Sequence, residues 1–525
     1  MRKLLPAERP RWYGLKEDPK HVDKECGYTP QKCGYTPQTS DITDSRANRD
    51  ITEAWNGKPC FALNKTKDPR TISIGDLKLI SPLQIGGGSF PEGGILPAQA
   101  AGIPWIPGSS VRGSLLHYLR KHWDRIPANE QAFWRTLLNE NQTAWLPRKI
   151  RFENLFLEKS NLKPYPLNPQ QPWQVFNERD PKLGVQWQIP AGEGMNAPKY
   201  ALNITLKEIP TEEQKSWVTQ RMKEMLRHQG LGRGIHAGFG RIAERIPEGQ
   251  WTIELQGMKP CVQQHKVESG QVTQQGQYRW SPQVLRANLR GWFTRLALPL
   301  LGIQNTERLT NKIFGGLGCP ADLVLCSYKA SDPLPALSIE DGLANGYANI
   351  PARDAHETWG IQVECNEPFQ PLIGDLLNLA QQLGGLGPGW RRPPHQLTSF
   401  RGFRGSQFTL RNVKPLPLAP LIDSLKVQIR SLAGQYGIPV LSQPYLGTGC
   451  IFSIWESEDR KAWMEIVHGV CSTKTNPRPD WCGSSEHRPS GYSVRELKDR
   501  CRITVLDPDV VPTLKDIGFQ QVWSA

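Results

Sequence analysis

Two stretches of this 525-residue chain run through the same order of elements, and that repetition restricts the fold more than any other feature. In the first, an alternating strand over residues 76–85 stops at Gly86, Gly87 and Gly88. A short apolar strand, Ile103-Pro-Trp-Ile106, then passes through Pro107-Gly108 into a helix. Ser109 and Ser110 read as its N-caps, and Val111, Leu115, Tyr118 and Leu119 share one helical face. A strand at 200–207, a helix at 211–229 and the loop Gly230-Leu-Gly-Arg-Gly-Ile-His-Ala-Gly-Phe-Gly-Arg241 complete the series. In the second, 251–255 reads as a strand, 284–296 as a helix and 371–383 as another helix. The basic glycine segment Gly384-Gly-Leu-Gly-Pro-Gly-Trp-Arg-Arg392 follows. Laid on the first helix, Arg286 falls on Arg112, Leu289 on Leu115 and Trp292 on Tyr118, so a duplicated β-α-β unit of the α+β class is expected.

These elements set the expected boundaries: an N-terminal arm at 1–70, a first domain at 71–248, a second at 249–412, and a remainder at 413–525 that extends or completes the second. The arm is polar and contains a short duplication, Cys26-Gly-Tyr-Thr-Pro-Gln and Cys33-Gly-Tyr-Thr-Pro-Gln, which reads as a repeat in a flexible segment. Against 50 Asp and Glu stand 64 Lys and Arg, a net charge of +14 that favours a polyanion such as RNA, DNA or an anionic membrane surface. Eleven scattered cysteines behind an N-terminus with no secretory signal point to a reducing cytoplasm. No apolar window approaches the length of a membrane span, so no membrane partner is expected.

Free N–H groups at the start of the helix, with Arg112 one turn in, form a seat for a phosphate or carboxylate. The loop at 230–241 offers a second, through Arg233, His236 and Arg241, with Phe239 as a stacking ring. Gly232, Gly234 and Ala237 carry the spacing of a dinucleotide-binding fingerprint, but the loop follows a helix and feeds a strand, the reverse of what that motif requires.

Three groups of residues resemble the RAMP superfamily of CRISPR effector proteins: Ser81-Pro-Leu-Gln-Ile-Gly-Gly-Gly88 before Ile106-Pro-Gly-Ser-Ser-Val-Arg-Gly113, the loop ending Gly238-Phe-Gly-Arg241, and Leu285-Arg-Ala-Asn-Leu-Arg-Gly-Trp-Phe293 with Phe314-Gly-Gly316 downstream. The resemblance implies two ferredoxin-like, RNA-recognition-motif-like β-α-β-β-α-β units in tandem with long insertions. It also implies a structural subunit of a type III CRISPR ribonucleoprotein that holds guide RNA (crRNA), presents it to target RNA and assembles with other effector subunits. Gly86, Gly87, Gly88, Gly108, Ser109, Ser110, Arg112, Arg233, His236, Phe239, Arg241, Arg286, Arg290, Trp390, Arg391 and Arg392 are the expected RNA contacts.

Catalytic backbone subunits of that family use an aspartate in the loop that here spans 89–102, and this loop contains none. Glu92 is the acid that could stand in, and Asp354 with His356 and Glu357 forms a second acid-base candidate. A binding subunit without catalysis is therefore expected. The alternatives are a subunit that cleaves target RNA with a metal, a guide-processing ribonuclease using His117 or His236, and a basic protein scaffold. His468, Cys471, Cys482 and His487 supply two imidazoles and two thiols that could hold a structural zinc ion.

Overall fold

This computed structural model describes residues 68–86, 103–138, 149–157, 199–257, 278–316, 319–329, 355–364, 369–383, 413–447, 449–472 and 499–525 continuously, with shorter pieces between them. The described residues up to Ile246 form one compact unit, and those from Pro247 form a second, the segment 264–276 excepted.

The first unit opens with β1 (Thr71–Leu79), whose alternating burial places Ile72, Ile74, Leu77 and Leu79 in the core. A register shift at Gly75-Asp76, where Asp76 takes a φ of 55°, keeps that alternation in phase. Pro82 ends strand character, and β2 (Leu83–Gln84) resumes it in a different sheet. Then come α1 (Gly108–Lys121), α2 (Ala128–Leu138), β3 (Ile150–Phe152), β4 (Gly184–Ile189), β5 (Lys199–Leu206), α3 (Glu212–His228) and β6 (Ile242–Ala243). Thr211 and Gln214 close a reciprocal capping box at the start of α3. The main sheet runs β6-β1-β5-β3, every pair antiparallel, and β2 pairs with β4 elsewhere. Numbered within the repeat, that order is 4-1-3-2.

The helices pack on one face of this sheet through Val111, Leu115, Leu119, Val218, Met222 and Leu226, each closed to solvent. At about 1.5–3 kcal/mol per large apolar side chain, this core dominates the unit's stability. A buried ion pair ties the helices together: Glu130 on α2 accepts two bonds from Arg221 on α3, at 2.8 and 2.7 Å, and a third from Trp134 Nε1. The outer face carries Ser73, Lys199, Ala201 and Arg151, all exposed, with Asn203 and Thr205 half-buried between them.

The second unit repeats the scheme with β7 (Trp251–Gly257), α4 (Pro282–Phe314), β8 (Leu325–Lys329), β9 (Ala355–Val363), α5 (Phe369–Leu383) and β10 (Ser406–Arg411). Its antiparallel order, β8-β9-β7-β10, is again 4-1-3-2 read from the other edge. Helix α4 breaks at Gly302 (φ 70°, ψ 177°) and folds back, so that Phe293 meets Phe314 at 5.5 Å between ring centroids.

The residues after 413, expected to extend or complete the second domain, close a sheet of their own within the second unit. After α6 (Leu418–Gln435) come β11 (Ser453–Ser457), a π-helical turn at Glu465–Val470, β12 (Tyr492–Glu496), β13 (Cys501–Val505), α7 (Val511–Asp516) and β14 (Gln520–Ser524). The order β12-β13-β11-β14, all antiparallel, is 4-1-3-2 for a third time. Trp455, Val494 and Ile503 face its own helices with Trp463, Ile466 and Leu514, while α5 packs on β12 and β13 from the other side. Among the described residues, no helix is long and apolar enough to cross a membrane.

Candidate nucleic-acid interface

Residues 230–241 pass from α3 to β6 through five glycines with positive φ, Gly230, Gly232, Gly234, Gly238 and Gly240. Two of them illustrate why side chains are excluded: a Cβ on Gly232 would strike the carbonyl of Gln84, and one on Gly240 the carbonyl of Leu231. The loop is stitched to the first strands by Arg233 N donating to Gln84 O (2.8 Å), Gly240 N to Pro82 O (2.7 Å), Arg241 N to Ser81 Oγ (2.8 Å) and Ile80 N to Arg241 O (2.9 Å). The Ser81-Pro-Leu-Gln84 segment and the glycine loop are therefore one object, although about 150 residues of chain separate them.

This stitching corrects two expectations. Phe239 is 1% exposed and Arg241 is closed to solvent. The Arg241 guanidinium donates to Ile235 O at 3.0 Å and fastens the loop from within, so neither residue presents a ring or a charge to a ligand here. Arg233 is different. It is exposed, its stem lies against Gly86, and among the described residues its guanidinium has no acidic partner. His236 beside it is half-buried.

Helix α1 begins one residue before the expected caps. Pro107 is the N-cap, and Ser109 and Ser110 stand exposed in the first turn with no side-chain capping bond. The N–H of Gly108 is taken instead by Asn154 Oδ1 at 2.9 Å, and a Cβ at 108 would collide with the carbonyl of Phe152. One of the free donors in the expected seat is thus occupied, while the first turn keeps no acidic residue and Arg112 stays half-buried without an ion pair among the described residues. His117 is exposed on α1.

In the second unit, Arg286 and Arg290 hold α4 together. Arg286 donates to the carbonyl of Phe314 and Arg290 to Asn311 Oδ1 at 2.8 Å, across the fold-back at Gly302. Burial pushes the Arg286 pKa down to about 10. Their expected role as RNA grips gives way to an internal one, a correction whose cause is the hairpin that the sequence did not announce. Gly87, Glu92, Asp354, Trp390, Arg391, Arg392 and His487 lie outside the described residues. Gly88 pairs with Leu96 in a short ladder, and His356 takes its backbone place opposite Gln256 on β9, its side chain lying outside the description.

Cys471 and Cys482 do come together, as the zinc expectation required, but they are joined to each other in a disulfide. His468 packs on Trp463 at 5.9 Å between ring centroids, and no group of three metal-ligating side chains occurs among the described residues.

Two residues near the loop gave no signal in the sequence. Gln84 on β2 pairs directly with Gln188 on β4, so their side chains share a face. Gln84 Nε2 and Gln188 Oε1 are both closed to solvent and unpaired among the described residues, and Gln84 Oε1 lies beside Gly234. Only the pairing of β2 with β4, across an insertion of a hundred residues, reveals them.

No curated protein matches the chain. Among solved structures, the crystal structure of Cmr6 from Pyrococcus furiosus is similar at 15% identity and a TM-score of 0.21, covering 34% of this chain and all of that one. A family model described as RAMP superfamily matches residues 76–243. That span holds α1, α3 and the whole glycine loop, so the similarity to the RAMP superfamily covers the first unit's helices and its loop.

Proposed function

We propose that this chain is a guide-RNA-binding subunit of a type III CRISPR ribonucleoprotein, assembled with other effector subunits to target RNA in antiviral defence. The observation that carries the reading is Arg233, held beside Gly86 by a loop whose own Phe239 and Arg241 are spent inside it, within the span similar to the RAMP superfamily. An exposed cation on a rigid glycine frame suits a phosphate, and the net charge of +14 supplies the long-range attraction. The outer face of the first sheet supports contact with the RNA backbone over base stacking, because Ser73, Lys199, Ala201, Asn203, Thr205 and Arg151 include no aromatic ring. We read the three 4-1-3-2 sheets as three ferredoxin-like repeats, one more than expected. Binding without cleavage fits a loop at 89–102 that lacks an aspartate.

The test is equilibrium binding of a fluorescent single-stranded RNA to the full chain over a series of salt concentrations. Each lost phosphate contact lowers the slope of log affinity against log salt by about 0.7, so Arg112→Ala with Arg233→Ala should lower it by about 1.4. An unchanged slope and affinity in that double variant would sink the reading.

A further inference from the structure

The outer face of the third sheet contains a buried cation that forms no ion pair among the described residues. Ser493 and Arg495 on β12 stand opposite Thr504 and Arg502 on β13, so the four side chains form one patch turned toward α5. Ser493 Oγ donates to Leu383 O at 2.8 Å, and Arg502 donates to Gln382 O at 3.2 Å, which occupies the last carbonyls of α5. Arg502 also meets Glu456 at 2.8 and 2.6 Å, so its charge is matched.

Arg495 has no such arrangement. It is 7% exposed, and its Nε is closed to solvent and meets no acceptor among the described residues. The nearest acid in sequence, Glu496, points to the opposite face, where Arg460, Lys461 and Trp463 Nε1 already hold it. Burial first, and then the charge of Arg502, push the Arg495 pKa down to about 10 against the opposing charge of Glu496. The hydroxyl of Thr504, diagonal to Arg495 on the same face, is also closed to solvent and unpaired.

A buried guanidinium without an anion is strongly destabilising, since its desolvation is repaid only by a counter-charge with good geometry. The planar fork of Arg, with a hydroxyl beside it, suits the oxygens of a phosphate. From this juxtaposition we propose that Arg495 and Thr504, with Arg502 behind them, form a phosphate-binding site between the third sheet and the C-terminal end of α5. The proposal does not depend on the RNA reading of the first unit. Its position where the second glycine-rich segment leaves α5 admits two sources of the same chemistry, an RNA phosphodiester or a small phosphorylated ligand.

Thermal unfolding of the full chain in sodium phosphate, against sodium chloride of equal ionic strength, probes the site directly. The wild type should gain about 2 °C or more in phosphate, and Arg495→Met, which keeps the stem and removes the charge, should lose that gain. Thr504→Val, nearly isosteric, should reduce it and serves if the first variant does not fold. Binding of a single-stranded RNA separates the sources. A tenfold weaker affinity in Arg495→Met identifies the backbone of RNA, and an unchanged affinity with a lost phosphate gain identifies a small ligand. Equal phosphate response and equal RNA affinity in wild type and both variants would overturn the proposal.

Discussion

The first and third sheets share strand order and direction, yet their outer faces have opposite fates. On the first, Ser73, Ala201 and Lys199 are exposed and the alternation of β5 is complete, buried residues interleaved with open ones. On the third, β12 is buried at all five positions, because its own helices cover one face and α5 covers the other. A sheet of this topology can therefore serve as a free surface or as a wall, and the neighbour decides which. The covering layer explains the all-round burial of α5, whose Leu372, Ile373, Leu376, Leu377, Leu379 and Ala380 are all closed to solvent between two sheets.

The largest expected effect tests that wall. Ser493→Lys would force a second uncompensated cation beside Arg495, at a cost of about 3–5 kcal/mol, read as a large drop in the unfolding temperature. The matching change on the open face, Ser73→Lys, should stay within about 0.5 kcal/mol, and equal losses in the two variants would break the comparison. Between these extremes lies Gly240→Ala, which meets both a φ of 73° and the Leu231 carbonyl. It should destabilise the first unit by about 3 kcal/mol, read in urea unfolding, and leave the transition of the second unit in place.

The smallest effect is one of pH. Burial of Glu224 on α3 opposes its charge, but hydrogen bonds from Gln220, Arg221 and Tyr118 outweigh it and hold the carboxyl below its usual range. A carboxyl with a lowered folded pKa stabilises above its unfolded value, near 4.5, and that contribution fades as pH falls through the folded value. Urea midpoints of the first unit should accordingly fall on acidification below about pH 4.5, and Glu224→Gln should flatten that part of the profile. A profile identical in the variant would show that the acid sensitivity resides elsewhere.

Much of the local architecture was legible in the residues. The helix at 211–229, the alternation of β5 and the glycines of 230–241 each express a preference that acts within a few residues. The placement of Arg112 at a helix start and of Arg233 in the glycine loop belongs to the same class. Phe239 and Arg241 were misread because a loop sequence does not say which of its side chains turn inward. Here Arg241 bonds back to Ile235, within its own loop. Arg286 and Arg290 were misread because their partners, Phe314 and Asn311, lie beyond the break at Gly302.

The sequence by itself determined the class of the chain, its excess of positive charge and the positions where only glycine can turn. These are properties of single residues and short periods. Tertiary structure decided that residues after 413 close a third sheet, that Asn154 takes the first donor of α1, that Cys471 bonds to Cys482, and that Arg495 Nε is buried against α5 with no partner among the described residues. Each of these depends on which surfaces are brought together over long separations, where burial removes water and leaves every charge and donor to find a partner among its new neighbours.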